Sequence, residues 1–431
     1  MKEIDHPGAW ISIGGDEIQA KARSSICDIV NDLQATEASP LSAFHLCERA
    51  LLYAYIGLAW PSEEWHEKSL NYLNLAIECL AVAPLIHNGL YGGLAGFGWM
   101  VQHVFSILSG AADDEIQHSA DEDAISEIDA RILRLLEFEN PLGHNYDLIT
   151  GYVGIGVYLL ERLPRREAML GIERTLDLLE NISENSQAGI TWFTPPSLIP
   201  PLHKKQAPFG YYNLGVAHGV PGVVAFLVRV ATSRLSDTIT RKTSRLLDGA
   251  MKWLLAQQRP LGSISRYSSW IAVGQDGEDS RMAWCYGDLG IAAIFQFAGR
   301  RMQNPLWLSA ARSLSDQCLL RQSNEVADAA LCHGAFGIAH IYNRIYQHNR
   351  EDIFKQTTLD WIHRGLALRK QGVGIAGYYA YNPSSTPPEC RDASFLSGAV
   401  GIALALLAAI TPIEPQWDRI MLLSGVRPLN N

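Results

Sequence analysis

The sequence predicts an all-α protein, a double-layered α/α toroid (α/α barrel) of about seven inner and seven outer helices. Two observations predict it. The pattern Gly-x-x-Gly recurs at Gly93 and Gly96, Gly151 and Gly154, Gly219 and Gly222, Gly287 and Gly290, Gly334 and Gly337, and Gly398 and Gly401. The first glycines stand 58, 68, 68, 47 and 64 residues apart, which marks one supersecondary unit repeated along the chain. Each pair opens an apolar run, as in Val153 to Leu160, Val223 to Val228, Ile291 to Phe297, Ile338 to Tyr342 and Ile402 to Leu407, and a charged amphipathic run follows each, so buried and outer helices alternate.

In chain order the apolar segments are Ala43 to Trp60, Gly92 to Gly110, Gly151 to Leu163, Gly219 to Thr232, Gly287 to Gly299, Gly334 to His348 and Gly398 to Ile410. The first lacks the glycine pair but has the same character. Their polar partners run roughly from Glu17 to Leu33, Glu64 to Ala83, Asp121 to Phe138, Arg165 to Glu184, Asp237 to Gln257, Leu306 to Leu320 and Asp352 to Arg369. A set apolar on every face belongs inside an amphipathic set. An open array would need polar capping repeats at both ends, and Gly398 to Ile410 is too hydrophobic for that, so a closed ring is expected.

Two segments break the helical rhythm. Thr191 to Gly210 holds Pro195, Pro196, Pro200, Pro201 and Pro208 after the β-prone Gly189 to Phe193, a short strand running into an extended excursion. It is either a plain loop or a partner-binding surface. Leu261 to Ser280, rich in Ser, Gly and Asp, leads to Arg281. Residues 1–431 therefore read as a single domain with a Pro-rich insertion at about 188–212.

Bulk properties agree. A chain of 431 residues exceeds the usual compact core, but a ring of repeats grows past that limit because each unit packs mainly on its neighbours. A formal charge of -10 disfavours a nucleic-acid binder, which needs a basic face. Met1 to Trp10 carries Glu3, Asp5 and His6 where a secretory signal needs an apolar core, so a cytoplasmic protein is expected. Ala393 to Ile413 is uncharged but contains Ser394, Ser397, Gly398, Gly401, Thr411 and Pro412, which reads as a buried helix and not a transmembrane segment. Seven scattered cysteines are an odd number in a long chain, as reduced thiols would be.

The repeat frame singles out chemistry. Two residues before each first glycine stand Tyr91, Ile149, Ala217, Cys285, Cys332 and Leu396; one before stand Gly92, Thr150, His218, Tyr286, His333 and Ser397. Cys285 and Cys332 are thus equivalent positions in adjacent repeats, able to converge where helices start. Two thiols and an imidazole suit zinc, and three protein ligands leave one position open for chemistry. His218 shares the frame of Tyr286 and His333 and should point into the same mouth, whereas His87, His103, His144, His340 and His363 lack that placement. Asp147 is either the cap of the following helix or part of the site. Arg281 is either a solvated loop charge or part of the site.

The motifs Tyr146-Asp147-Leu148-Ile149-Thr150-Gly151, Asn213 to Gly222, Arg281 with Trp284-Cys285-Tyr286-Gly287-Asp288, and Cys332-His333-Gly334 resemble those of the lanthionine synthetase C family, the lanthipeptide cyclases. The resemblance covers about Gly89 to Gly401. It departs at Leu289, where Pro is expected, at Val220 for Ile, and at Ala335-Phe336 for Leu-Ala; none of these is a proposed ligand. It implies an α/α toroid with a bound Zn2+ held by Cys285, Cys332 and His333, surrounded by the catalytic residues His218, Asp147, Arg281 and Tyr286.

The activity implied is intramolecular Michael addition of a precursor-peptide cysteine thiol to dehydroalanine or dehydrobutyrine, closing a thioether ring. Zinc would hold the thiol deprotonated, His218 would protonate the α-carbon, Arg281 or Tyr286 would stabilise the enolate oxygen, and Asp147 would orient a histidine or take the thiol proton. Asp288 is one possible second partner for His333. The partners implied are a dehydrated precursor peptide with its leader, with a dehydratase and a transporter of the same pathway as further options, and with peripheral membrane association through such a complex. The basic tip His203-Lys204-Lys205 is the candidate leader contact. Two alternatives stay open, a zinc-dependent thiol prenyltransferase and a non-catalytic zinc-binding scaffold or adaptor of the same family.

Overall fold

The computed structural model describes residues 9–35, 41–83, 85, 87–109, 118–201, 203–272, 274–275, 277–321, 326–382 and 384–425. Among them fourteen α-helices alternate as the sequence predicts. They are α1 (Asp16–Ala35), α2 (Ala43–Ala59), α3 (Glu63–Val82), α4 (Leu94–Ser109), α5 (His118–Leu136), α6 (Tyr152–Glu161) and α7 (Arg166–Asn181). The series continues with α8 (Val220–Ala231), α9 (Asp237–Ala256), α10 (Asp288–Arg301), α11 (Pro305–Leu320), α12 (Ala335–Asn349), α13 (Asp352–Ala367) and α14 (Ala399–Ile410). The even-numbered helices are the apolar ones: α14 is buried at every position from Ala399 to Ile410. The odd-numbered ones bury one stripe, as α7 does with Ala168, Gly171, Ile172, Thr175, Leu176 and Leu179, the spacing of an amphipathic helix. Among the described residues no helix is long and apolar enough to cross a membrane; the uncharged stretch around Ala393 to Ile413 contributes the short α14.

Contacts divide the chain into two compact units, residues 1–76 with 322–416 and residues 77–321 with 417–431. In the second unit α4, α6, α8 and α10 follow one another as packed neighbours, and α6, α8 and α10 each pack against the odd helix that follows. In the first unit α12 packs on α13 and α14, while α14 packs on α1 and α2. The two ends of the alternation therefore meet: Trp10 Nε1 donates to Ala408 O at 2.8 Å, and Ile13 N to Ala409 O at 2.9 Å.

The glycine pairs have a specific cause. The first backbone N–H groups of a helix lack intrahelical partners, and here the preceding loop folds back to supply carbonyls. Tyr152, Val153 and Gly154 donate to Asn145, Tyr146 and Asp147 at 3.0, 3.3 and 3.2 Å; Ala335, Phe336 and Gly337 donate to Asp328, Ala329 and Ala330 at 3.1, 3.3 and 3.2 Å. A loop wound so tightly leaves no room for a side chain. A Cβ on Gly337 would lie 1.9 Å from Leu331 O, and one on Gly287, whose φ is +109°, 1.7 Å from Arg281 O.

Six residues before the first glycine, five of the six repeats place a side-chain acceptor for the backbone N–H two residues on. His87 Nδ1 accepts from Gly89, Asn145 Oδ1 from Asp147, Asn213 Oδ1 from Gly215, Asp328 Oδ1 from Ala330 and Asp392 Oδ1 from Ser394. The sixth position is Arg281, which has no acceptor to offer. Neighbouring loops are then tied by backbone bonds at the position two before the glycine. In the second unit Tyr91 N donates to Ile149 O (3.1 Å), Leu148 N to Ala217 O (3.1 Å) and Ala217 N to Cys285 O (3.4 Å); in the first, Cys332 N donates to Leu396 O (2.9 Å).

The expected strand at Gly189 is β2 (Gly189–Thr194), but it belongs to a larger antiparallel sheet ordered β1 (Ser183–Ser186), β2, β3 (Tyr211–Asn213) and β4 (Trp270–Ala272). The loop expected at 261–280 thus contributes a strand. A second sheet pairs β5 (Ala380–Tyr381) with β6 (Glu389–Cys390). β3 and β4 join the sheet through non-local pairs, and β5 and β6 span two residues each, so no periodicity announced them. Ile199, Ala207, Tyr211 and Ala272 make a small apolar cluster, with Trp270 packed against it, that anchors the Pro-rich excursion.

Gly337→Ala is expected to lose about 1–3 kcal/mol of stability by overpacking, whereas Gly15→Ala, with no atom within 4 Å of the added Cβ, should stay within about 0.5 kcal/mol of wild type. Urea unfolding monitored by circular dichroism checks both.

Candidate functional site

Five of the seven residues singled out in the sequence belong to the second unit: Asp147, His218, Arg281, Cys285 and Tyr286. The loop before α6 presents Asp147, whose Oδ1 accepts from Thr150 N at 2.8 Å and Gly151 N at 2.9 Å. Its other oxygen, Oδ2, lies 2.6 Å from His218 Nδ1 on the loop before α8. The cap of α6 is Gly151, with no side-chain cap bond, so Asp147 does not cap the helix as one reading expected; its carboxylate pins its own loop and holds a histidine. Since a carboxylate only accepts, Nδ1 carries the proton and Nε2 is left for other work.

Burial opposes charge on His218, but the hydrogen bond and negative charge of Asp147, with a smaller contribution from Cys285, outweigh it and raise the imidazole pKa above its ordinary value. The His218 side chain keeps 41 % of its surface exposed, against 14 % for Asp147. The pair is therefore an anchored carboxylate carrying an accessible, proton-rich imidazole.

Tyr286 stacks beside His218 with ring centroids 6.1 Å apart and meets Trp270 of β4 edge-on at 6.2 Å. Asn213 Nδ2 donates to its hydroxyl at 3.1 Å. Burial pushes the Tyr286 pKa far up, so the phenol stays protonated and can donate. Arg281, freed from the loop-capping role of its counterparts, turns its guanidinium to Cys285, Nη2 to Sγ 3.3 Å. Cys285 itself is buried. His203, from the Pro-rich excursion, packs against Trp270 with centroids 4.6 Å apart.

Cys332 and His333 belong to the first unit. They sit on the loop before α12, both half-buried, and His333 Nε2 stands 3.6 Å from Asp328 Oδ2. Asp328 is almost wholly buried and also accepts from Ala330 N and Tyr381 N. The carboxylate beside His333 is thus Asp328. Asp288, expected in that place, instead accepts from Arg266 N and Tyr267 N at 2.8 and 2.9 Å and fastens the loop that leads to Arg281.

Asn213 and Asp328 were not picked out as site residues from the sequence. Their signal is the shared position six before the glycine, occupied by Asn145, Asn213, Asp328 and Asp392 alike. Of the histidines set aside, His87 caps its loop and His103 lies in a buried ion cluster with Glu161 and Arg419.

The family described as lanthionine synthetase C-like protein matches residues 49–422. The nisin biosynthesis protein NisC of Lactococcus lactis subsp. lactis is 22% identical over 289 residues, 65% of this chain and 67% of that protein. The solved structure of a nisin cyclase superposes with a TM-score of 0.73 at 18% identity, covering 95% of this chain and 98% of that one. The fold is the α/α toroid that the sequence predicts.

Asp147→Asn should lower the His218 pKa measured by NMR titration, because burial then acts without its counterweight. In wild type the folded imidazole titrates above its unfolded value of about 6.5. The pair's contribution to stability is therefore complete below that value and lost as pH rises through the folded pKa; the variant should show a flatter stability profile across that window.

Proposed function

Because the chain belongs to the lanthionine synthetase C-like family, we propose that it is a zinc-dependent lanthipeptide cyclase, joining precursor-peptide cysteine thiols to dehydroalanine or dehydrobutyrine. The observation that carries this reading is the Asp147–His218 pair, 2.6 Å apart, on the same row of loops as the Arg281–Cys285 contact. A bare scaffold needs metal ligands but no poised acid.

The donor set fits zinc. Cys285, Cys332 and His333 offer two thiols and an imidazole, the soft and borderline donors that zinc takes. Zinc held there would favour the thiolate form of a substrate cysteine and leave a fourth position for it.

The remaining residues supply the proton and the field. Addition forms a C–S bond at the β-carbon, moves an electron pair to the carbonyl oxygen, and ends when the α-carbon takes a proton; the thiol proton is released, so the peptide mass is unchanged. His218, charged through Asp147, delivers the α-carbon proton from Nε2. Both oxygens of Asp147 are engaged, which favours the orienting role over that of thiol base. Tyr286, held protonated and steadied by Asn213, donates to the developing enolate oxygen, and Arg281 adds positive charge beside Cys285. The substrate is a dehydrated precursor peptide with its leader; a dehydratase and a transporter of the pathway, met at the membrane periphery, are its proposed companions.

Incubation with a dehydrated, cysteine-containing peptide should remove free thiols, counted by alkylation, without changing peptide mass. Gain of a prenyl mass from an added prenyl diphosphate would indicate a prenyltransferase, and zinc binding without thiol loss would indicate a scaffold. Cys332→Ala should lose bound zinc by elemental analysis and abolish ring formation while keeping the helical circular dichroism. His218→Ala should keep the zinc and slow cyclisation by about 10²–10⁴-fold, the usual worth of a general acid.

A further inference from the structure

After α14 the chain turns through a short 3-10 helix, Gln416–Met421, and residues from Trp417 onward belong to the second unit. Trp417, Asp418, Arg419, Ile420, Met421 and Leu422 are all buried. The last carbonyls of such a turn have no partner within it. Here they meet the row of loops that carries the site: Met421 O accepts from Trp284 Nε1 at 2.9 Å, and Ile420 O from Tyr91 OH at 3.0 Å. Trp284 is the residue before Cys285, and Tyr91 occupies the position of Cys285 in the first glycine-marked repeat. The two rings lie 6.2 Å apart.

What fixes this segment is a buried ion cluster that the proposed chemistry does not use. Arg419 Nη2 donates to Glu161 Oε1 at 2.7 Å and lies 2.7 Å from His103 Nδ1. His103 stacks on Trp99, Ser424 Oγ donates to Asp418 Oδ1 at 2.6 Å, and Arg229 donates to Ser424 O. Burial and the nearby Arg419 bring the Arg229 pKa down to about 9. Apolar side chains of similar volume commonly replace a buried ion pair at no loss of stability.

We propose that residues 417–424 form the floor of the reaction site, and that Arg419, clamped by Glu161, is a positioning residue that sets Trp284 and thereby Cys285. The inference rests on the reading of Cys285 as a ligand and assigns a role to a segment outside the motifs that carry that reading. It makes the conformation of the ligand loop depend on a side-chain cluster formed by α4, α6, α8 and residues 418–424.

The test is the double substitution Glu161→Leu with Arg419→Met, which removes both charges and keeps the volume. Expected are an unchanged helical circular dichroism, kcat for cyclisation reduced at least tenfold with KM within twofold, and, in the metal-free protein, alkylation of Cys285 by iodoacetamide at least tenfold faster. Trp284→Phe, which deletes the one N–H bonded to Met421, should reproduce the faster alkylation; it decides the question alone should the double variant lose its fold. Cys285 alkylation at the wild-type rate in the folded variants would overturn the proposal. Wild-type protein without zinc would sink the proposed function, yet the alkylation comparison on metal-free protein would still decide the floor.

Discussion

Backbone packed against backbone at the start of the apolar helices is the constraint on which the rest depends. At α4, α6, α12 and α14 the loop is wound back over its helix so that its carbonyls receive the unpaired N–H groups, and glycine is the residue whose lack of a Cβ permits the approach. The chemistry is a by-product of that economy. Once neighbouring loops within each unit share hydrogen bonds, the two positions before each glycine become addresses along that unit. Cys285, Tyr286, His218, Cys332 and His333 are what occupies them.

Variation within that sameness creates the site. Five repeats cap the loop with an Asn, Asp or His acceptor, and the one that cannot is Arg281, whose guanidinium turns instead to Cys285 Sγ. Asp147 departs in a second way: one oxygen ties its loop and the other holds His218. A carboxylate so anchored loses little freedom when it holds a charged imidazole, because its rotamer is already fixed. Positioning and electrostatics thus come from the same atoms.

Much of this was legible from the residues. The alternation of helices followed from apolar runs that need no neighbours to interpret them, and both helix sets fall within a few residues of where periodicity puts them. The glycine pattern was visible while its cause was not, since the carbonyl that would strike a Cβ belongs to a loop whose path the sequence does not spell out. Asp288 illustrates the same limit. Its nearness in sequence to the Cys285 motif suggested a partner for His333, but its carboxylate is consumed by the backbone of Arg266 and Tyr267, and Asp328 stands by His333 instead. A three-residue strand such as β4 exists through its distant pairing with β3, and nothing local marks it.

The proposed function requires a sulfur-rich metal centre with an open position for the substrate thiol. Zinc X-ray absorption spectroscopy tests that most directly. The resting protein should show two sulfur scatterers at ~2.3 Å and nitrogen near ~2.0 Å, with a third sulfur when a cysteine-containing peptide is added. A shell of oxygen and nitrogen alone, or a sulfur count that the peptide leaves unchanged, would contradict it.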